Sequence, residues 1–254
     1  SGADLVLELP LPWAVSSAET FADGGVQVLS ATGVVTDLAF GSEIGEAAPL
    51  MELAGCLLSP AYPKELRRRL DSGLPYAACR QAAVEALLGL EKAALLESPN
   101  NILGVEYCKA LLRRGSPMHP LSVRREGSAH DGTLEPGAHP SASAVRALLR
   151  QGETERALSL LPPAMERAYR EEAAAGRAPV FAEVCQRAVL ARLRTMTETD
   201  FAALDQGKEG LCHRLYEAVR SSATVEEVLA AAKTKRYAYA RLRRMVLWAY
   251  LGLT

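Results

Sequence analysis

Several features that define common protein classes are absent from this 254-residue sequence. Its five cysteines are scattered without a CxxC pair, and its four histidines show no ligand spacing with them. This pattern argues against a zinc site or a disulfide framework and is typical of reduced thiols in a cytosolic protein. No apolar run reaches the length of a membrane span, and no charged-then-apolar leader precedes Ser1. We therefore expect a soluble, cytoplasmic protein.

Neither sign of charge is in clear excess, because the formal net charge is only -1. No overall field attracts nucleic acid, so any basic surface must be local. The chain is nevertheless long enough for two domains of ordinary size with well-buried cores.

Strand and helix patterns alternate over the first 150 residues. Strand patterns at Leu5–Leu9, Val34–Phe40 and Pro120–Arg125 are separated by helical ones, which predicts a parallel sheet with crossover helices. The first strand pattern begins almost at Ser1, so we expect a further segment to precede it. Within the first helix, Gly24–Gly25 predicts close packing against a neighbouring backbone, since each glycine costs about 1 kcal/mol relative to alanine in an exposed helix.

Beyond Gly152 the strand patterns stop and helical periodicity continues. The predicted helices are Thr154–Leu161, Pro163–Ala175, Pro179–Met196, Asp200–Ser221 and a last one from Thr224 to the C-terminus. The last helix begins with the capping box Thr224-Val225-Glu226-Glu227. We predict a boundary near residue 150, with an α/β domain over 1–150 and an all-helical domain over 151–254.

The segment Ser98–Gly104 (SPNNILG) precedes an apolar-periodic run that continues to Leu112. Serine and asparagine side chains accept the first free backbone N–H groups of a helix, which makes this a helix start. Asn100 and Asn101 together exceed what one cap needs, and the spare amide suits a purine edge or a ribose. The alternative is an ordinary capped helix with one solvent-facing asparagine.

Two further segments are candidates for a phosphate-binding edge. Gly41-Ser42-Glu43 follows a predicted strand, at the end of the sheet where open α/β folds bind ligands; its alternative is a plain turn. Ser141-Ala-Ser-Ala-Val-Arg146 combines hydroxyl groups, a helix start and a guanidinium, which together suit a triphosphate. Its alternative is a capped helix with a surface arginine.

The clearest basic segment lies near the C-terminus, where Tyr237 and Tyr239 interleave six cations without an acid. The cations are Lys233, Lys235, Arg236, Arg241, Arg243 and Arg244. Cations that neutralise phosphates, beside aromatic rings that stack on bases, are typical of RNA-binding surfaces. The alternative is a solvated helix face that complements Glu226 and Glu227.

Six motifs together resemble the bacterial tRNA(Met) cytidine acetate ligase family. They are GADLVLELP (2–10), SAETFA (17–22), LAFGSE (38–43), SPNNILG (98–104), SASAVR (141–146) and KTKRY (233–237) with ARLRR (240–244). The resemblance implies an α/β fold, with a Rossmann-like nucleotidyltransferase domain that lacks its first βα unit, followed by an all-helical tRNA-binding domain. It also implies that ATP and acetate form acetyl-adenylate, which acetylates the wobble cytidine of elongator tRNA(Met).

The resemblance also implies roles for single residues. ATP contacts fall on Gly41, on one or both of Asn100 and Asn101, and on Arg124, with Arg125 as the alternative if the alignment shifts by one. Ser141, Ser143 and Arg146 match the helix start that nucleotidyltransferases of this fold turn toward the triphosphate. Arg124 and Arg146 would balance phosphate charge in the transition state, together with Mg²⁺. The six cations of the basic segment would face the tRNA.

One departure from the family pattern limits what we expect of the chain. The family opens with a first strand and a phosphate loop of the H-x-G-H type, whereas His119, His130, His139 and His213 are isolated here. We therefore expect the 254-residue chain alone to show no ATP–pyrophosphate exchange with acetate. Two other functions stay open: a nucleotidyltransferase of the same fold acting on a small molecule, and a non-catalytic tRNA-binding protein.

Overall fold

A computed structural model describes residues 2–71, 76–125, 140–204, 210–234 and 237–253. The chain divides into two compact units. The larger comprises Leu7–Arg125 and Arg192–Thr254, and the smaller comprises Ser1–Val6 and Glu126–Ala191. The predicted division into domains 1–150 and 151–254 stays a prediction.

The first part of the larger unit alternates helices with two strands. Its elements are α1 (Leu11–Ala14), α2 (Ala18–Ala31), β1 (Asp37–Ser42), α3 (Ala47–Leu58), α4 (Ala61–Leu70), α5 (Tyr76–Leu88), α6 (Leu90–Ala94), a 3₁₀ turn (Leu95–Glu97), α7 (Pro99–Arg114) and β2 (His119–Arg124). The strands pair in parallel, with Asp37 opposite His119 and Ser42 opposite Arg124. This pairing confirms the parallel sheet predicted from the sequence.

The remaining described elements are all helical, as predicted, but the single helix predicted at Asp200–Ser221 is wrong, because Gly210, with a φ of +76°, precedes a separate helix. They are α8 (Ala142–Arg150), α9 (Thr154–Leu158), α10 (Pro163–Ala174), α11 (Ala182–Thr195), α12 (Glu198–Leu204), α13 (Leu211–Ser221), α14 (Val225–Ala232) and α15 (Tyr239–Leu251). In the smaller unit, α8 and α9 pack around Val145, Leu148 and Ala157. In the described part of the chain, no helix has the length and apolar character needed to cross a bilayer.

The strand predicted at Leu5–Leu9 is wrong. These residues belong to no strand, and Leu5 and Val6 are 71% and 84% exposed. An apolar pattern forms a strand only where a neighbouring strand takes up its backbone hydrogen bonds. In the described ranges, β1 and β2 pair only with each other.

The helix predicted from Thr224 to the C-terminus is also wrong, because α14 ends at Ala232 and α15 begins at Tyr239. Lys233 has an extended backbone that stops α14. The predicted capping box is present: the Thr224 hydroxyl accepts a hydrogen bond from Glu227 N at 3.1 Å. The returning bond of the box is shifted by one residue, because Glu227 Oε2 accepts from the backbone N of Ala223 at 2.8 Å and not from that of Thr224.

Helix α7 organises the core of the larger unit, packing on α2, α3 and β1. A Cβ at Gly104 would lie 2.8 Å from Phe40 Cε2 and 2.9 Å from Leu50 Cδ1, so only glycine lets the helix approach the strand this closely. Val105 and Cys108, on the same side of α7, are fully buried. The sheet edge and the start of α7 are thereby held together.

The first long helix shows the close approach that its glycine pair predicts. A Cβ at Gly24 would lie 2.4 Å from Cγ of Trp13. The neighbour is thus an aromatic side chain and not the backbone that the sequence predicted. Two residues after Trp13, the Val15 carbonyl accepts a hydrogen bond from Trp248 Nε1 of α15 at 2.8 Å, so α15 is bonded to the α1–α2 connection.

Candidate functional site

The loop after β1 crosses the carboxyl edge of the sheet. Ser42 is buried, and its hydroxyl lies 2.7 Å from the Ser122 hydroxyl and accepts from Gly45 N at 2.8 Å. Gly45 has a φ of +74°, and a Cβ there would lie 2.5 Å from Cβ of Arg124. Glycine is therefore required for this loop to pass against the end of β2.

The same loop is joined to the start of α7 by reciprocal hydrogen bonds. Glu43 Oε1 accepts from Asn100 N at 3.2 Å and from Asn100 Nδ2 at 2.7 Å, and Oε2 accepts from Asn101 N at 2.7 Å. In return, Asn101 Oδ1 accepts from the backbone N–H groups of Glu43 and Ile44 at 3.0 and 3.1 Å. We call this arrangement of Glu43, Asn100 and Asn101 the loop–helix clamp.

The clamp affects the ionisation of Glu43. Burial alone would raise the pKa of this carboxyl, but hydrogen bonds from Asn100 and Asn101 outweigh it and hold the pKa below the usual value. The carboxylate also lies at the N-terminus of a 16-residue helix, where negative charge is favoured.

Ser98 does not cap α7 through its side chain, contrary to the prediction from the SPNN motif. The physical reason is that Glu43 already bonds the first free N–H groups of the helix. Sequence reasoning placed Glu43 in a candidate phosphate-binding segment but missed its role as a helix cap, because a cap from a residue 57 positions away leaves no local signal. Asn101 is 3% exposed and holds the loop, whereas Asn100 is only partly buried.

Three other predicted ATP residues lie beside the clamp. Arg124 ends β2, Arg125 follows it, and both are exposed. Arg125 Nη1 donates to Asn100 Oδ1 at 3.3 Å, and its Cγ would lie 3.1 Å from a Cβ at Gly41. The structure thus brings Gly41, Asn100, Asn101, Arg124 and Arg125 to one edge of the sheet.

The SASAVR motif begins α8 in the smaller unit. Ser141 caps this helix, because its Oγ accepts from Ala144 N at 3.1 Å. Ser143 and Arg146 are exposed on the helix. The cap confirms the predicted helix start, and the predicted role of these three residues in ATP binding stays a prediction.

The basic segment is only partly described, because Lys235 and Arg236 lie outside the described residues. Lys233 is exposed after α14, and Arg243 lies over the Tyr239 ring at 4.8 Å. Tyr237 is 4% exposed, so it offers no open face for stacking on a base. The Tyr239 hydroxyl hydrogen-bonds to Glu226.

Arg241 and Arg244 line a cavity of about 230 Å³ with the start of α2. Ser16, Ser17 and Thr20 form the facing wall. Burial lowers the pKa of Arg244, and the nearby charge of Arg241 lowers it further. The cavity therefore presents cationic groups opposite hydroxyl groups and a helix N-terminus, a combination suited to phosphate.

A larger cavity of about 370 Å³ lies on the other side of Ser17. It is lined by side chains of α2, α3, α4, α5 and α7, and five of them are charged: Glu19, Arg80, Glu106, Lys109 and Arg113. We call this the charged cavity. Lys109 Nζ lies 2.5 Å from Glu106 Oε2 and 3.1 Å from Glu19 Oε1. Arg80 Nη2 lies 3.0 Å from Glu106 Oε1, and Arg113 Nη1 lies 2.7 Å from Glu19 Oε1.

The sequence analysis did not find the charged cavity. Glu106 and Lys109 lie in the helical run after the SPNNILG motif, where charges normally mark a solvated face. Both are less than 10% exposed. Among the described residues, no group of three or more His, Cys, Asp or Glu side chains is arranged to hold a metal ion.

Parallel strands, a ligand-binding edge at their carboxyl ends and a helix N-terminus with exposed arginines are typical of nucleotide-binding α/β proteins. The sequence profile of the HIGH Nucleotidyl Transferase family matches residues 1–254. The chain therefore belongs to this family, and the predicted fold class is confirmed.

Comparison with individual relatives narrows the family further. The tRNA(Met) cytidine acetate ligase of Syntrophomonas wolfei is 37% identical over 100% of this chain and 62% of its own length. Crystal structures of Thermotoga maritima TmcAL match with a TM-score of 0.92 in the apo form, at 34% identity over 98% of this chain and 60% of that one. The form bound with alpha-thio ATP matches with a TM-score of 0.89, at 32% identity over 100% of this chain and 61% of that one.

These comparisons confirm the resemblance drawn from the six motifs. The chain spans about 60% of the length of the curated relatives it matches.

Proposed function

We propose that the natural protein carrying this chain acetylates N4 of the wobble cytidine of elongator tRNA(Met), using ATP and acetate. The observation that carries the proposal is the loop–helix clamp beside two exposed arginines at the sheet edge. The clamp holds the loop against the helix, and the two arginines beside it supply the cationic groups for phosphate. The relatives of the chain are named for this reaction.

The proposed chemistry has two steps. An acetate oxygen attacks the α-phosphate of ATP, the bond to the β-phosphate oxygen breaks, and pyrophosphate leaves. The cytidine amine then attacks the acetyl carbon of acetyl-adenylate, AMP leaves, and the amine loses a proton. Neither step needs a protein nucleophile, so positioning and charge neutralisation are what the chain must provide.

We assign these tasks to residues at the sheet edge. Arg124 and Arg125 neutralise phosphate charge, and Gly41 permits close approach of the backbone to the nucleotide. Asn100, partly exposed, contacts the adenosine, whereas buried Asn101 positions the loop. Ser141, Ser143 and Arg146 remain in the proposal as triphosphate contacts, and Mg²⁺ arrives with the triphosphate.

The basic segment is proposed to bind the tRNA backbone. Its described members with the clearest exposure are Lys233 and Arg243, while Arg241 and Arg244 line the smaller cavity. Lys235 and Arg236 complete the predicted set. Because its substrate is an elongator tRNA, we place the reaction in the cytoplasm.

Two measurements test the proposal. The first is mass analysis of nucleosides from elongator tRNA(Met) incubated with the natural protein, ATP and acetate; we expect N4-acetylcytidine. The second is ATP–pyrophosphate exchange that depends on acetate. Exchange with a different acid, without modified tRNA, would favour a transferase acting on a small molecule, and tRNA binding that is indifferent to ATP would favour a non-catalytic role.

A variant pair adds a test of the site. Arg125→Gln removes a charge at the sheet edge and is expected to lower the exchange rate about 100-fold, the usual effect of losing one transition-state donor. The matched control is Arg114→Gln, because Arg114 pairs with Asp23 at 2.6 Å near the far end of α7. Equal rates for the two variants would contradict the proposed phosphate contact. The expected inactivity of the 254-residue chain alone is checked in the same assay.

A further inference from the structure

The charged cavity has a composition that folding alone does not require. Three cations and two carboxylates give it a net charge of about +1, and Glu106 and Lys109 are almost fully buried. A buried ion pair recovers its desolvation cost only partly, so apolar side chains of similar size would stabilise the fold at least as well. Charges that line an open cavity of ligand size therefore point to a polar ligand.

Two side chains of the cavity have hydrogen-bonding atoms that are not used by other described residues. Among the described residues, Arg80 makes a single hydrogen bond, from Nη2 to Glu106, so its other donors are available toward the cavity. Glu19 receives Lys109 and Arg113 on Oε1 alone, which leaves Oε2 as an acceptor among the described residues. The cavity thus offers donors and an acceptor side by side.

The cavity also has aromatic walls. Tyr62 is 8% exposed, with its hydroxyl group against Tyr76, whereas Tyr76 is 61% exposed at the start of α5. An exposed tyrosine ring beside charged groups is what proteins use to stack on a base taken out of an RNA strand.

We propose that the charged cavity receives the acceptor pyrimidine nucleotide of the RNA, with cytosine preferred over uracil. Cytosine presents an amino group as donor, next to a ring nitrogen and a carbonyl oxygen as acceptors. The Glu19 carboxylate matches the amino group, and the free Arg80 donors match the two acceptors. Uracil would place a carbonyl oxygen against Glu19 instead. This inference rests on the proposed function and names the site of its second substrate.

The surroundings favour an RNA strand over a free nucleotide. Ser17 lines both the charged cavity and the smaller cavity, which contains Arg241 and Arg244. A strand whose backbone is held at these arginines can pass over Ser17 and place one base in the charged cavity. Ile102, which follows Asn101 of the clamp, lines the charged cavity, so the cavity reaches the first turn of α7, next to the proposed nucleotide edge.

Photo-crosslinking tests the location directly. Elongator tRNA(Met) carrying 5-iodocytidine at the wobble position is bound to the natural protein, irradiated and digested, and the modified peptide is identified by mass spectrometry. We expect the crosslink at Tyr76, the exposed ring, and its loss in Tyr76→Ala, whose folding is checked by its thermal midpoint.

A base-specific variant separates binding from folding. Glu19→Gln is expected to weaken binding of the cytidine tRNA about 10-fold and binding of a uridine-substituted tRNA less than 2-fold, which a purely structural role would not do. Glu65→Gln is the matched control, since Glu65 pairs with Arg68 and Arg69 outside the cavity. Equal weakening for both bases would overturn the inference.

The outcomes distinguish a failure of the cavity assignment from a failure of the proposed function. Acetylated tRNA with a crosslink elsewhere overturns the cavity assignment and leaves the proposed function intact. If acetate alone, added before irradiation, prevents the crosslink from forming, the cavity belongs to the acyl donor and the inference is also overturned. A tRNA that is neither bound nor acetylated rejects the proposed function and the inference together.

Discussion

Replacing Glu43 by glutamine is the sharpest test of the loop–helix clamp. The substitution keeps the size of the side chain but removes its charge and turns one acceptor oxygen into a donor. That new donor must face N–H groups of Asn100 or Asn101, which now bond to the two oxygens at 2.7–3.2 Å. A donor facing a donor leaves both without a partner.

The magnitude follows from these contacts. A hydrogen bond to a charged group contributes about 1.5–3 kcal/mol, and a charge at a helix N-terminus about 0.3–1 kcal/mol. Because Glu43 is only partly buried, we discount the sum and expect Glu43→Gln to lower the free energy of unfolding by about 2 kcal/mol. With a urea m-value of about 2 kcal/mol/M, the midpoint falls by about 1 M.

The effect has a defined pH dependence. The folded pKa of Glu43 lies below its usual value, so the carboxylate stabilises the fold above the unfolded pKa of about 4.3. This stabilisation is lost as pH falls through the lower folded pKa. The difference between wild type and Glu43→Gln is therefore constant from pH 7 to about pH 5 and narrows below about pH 4.

Urea unfolding at pH 7 and at low pH is the assay. The matched control is Glu46→Gln, because Glu46 precedes α3 in the same loop and its side chain makes no capping bond. A midpoint change for Glu43→Gln no larger than that of the control, or one that persists undiminished in acid, would refute this account of the clamp.

Three further outcomes follow from other contacts. Gly45→Ala is expected to cost about 2–4 kcal/mol in unfolding free energy, because its methyl group would meet Arg124 at 2.5 Å. Gly33→Ala, with a similar φ and open space around it, should cost only about 1 kcal/mol. Trp248→Phe loses the bond to Val15 and should cost about 1 kcal/mol in urea unfolding. Arg244→Gln should reduce the slope of log tRNA affinity against log salt by about 0.7–0.9, measured by anisotropy between 50 and 200 mM, and an unchanged slope would contradict phosphate contact there.

Local signals predicted most of the helices. Ser17 and Ser141 cap α2 and α8, as their positions before helical patterns predict. The start of α7 at Pro99 also agrees with the helix start predicted from SPNNILG, because such signals act within one turn. The strand at Leu5–Leu9 failed because strand formation depends on a partner distant in the sequence.

The candidate site was predictable only in part for the same reason. The asparagine pair and the arginines after β2 were recognised by type and position, and the fold brings them together. Glu43 was recognised only as part of the loop after the strand. Its role in organising the site was not predictable, because it bonds residues 57 and 58 positions later. The burial of Glu106 depends on the packing of several helices around it, which no periodicity shows.

The hydrogen bond from Trp248 to Val15 has a consequence for the distance between the basic segment and the charged cavity. It ties α15, which carries Arg241, Arg243 and Arg244 of the basic segment, to the chain just ahead of α2. The residues at the start of α2 line both cavities. A ligand bound along α15 therefore lies at a fixed distance from the charged cavity. For the tRNA proposed as substrate, recognition can then depend on the distance between the bound backbone and the bound base.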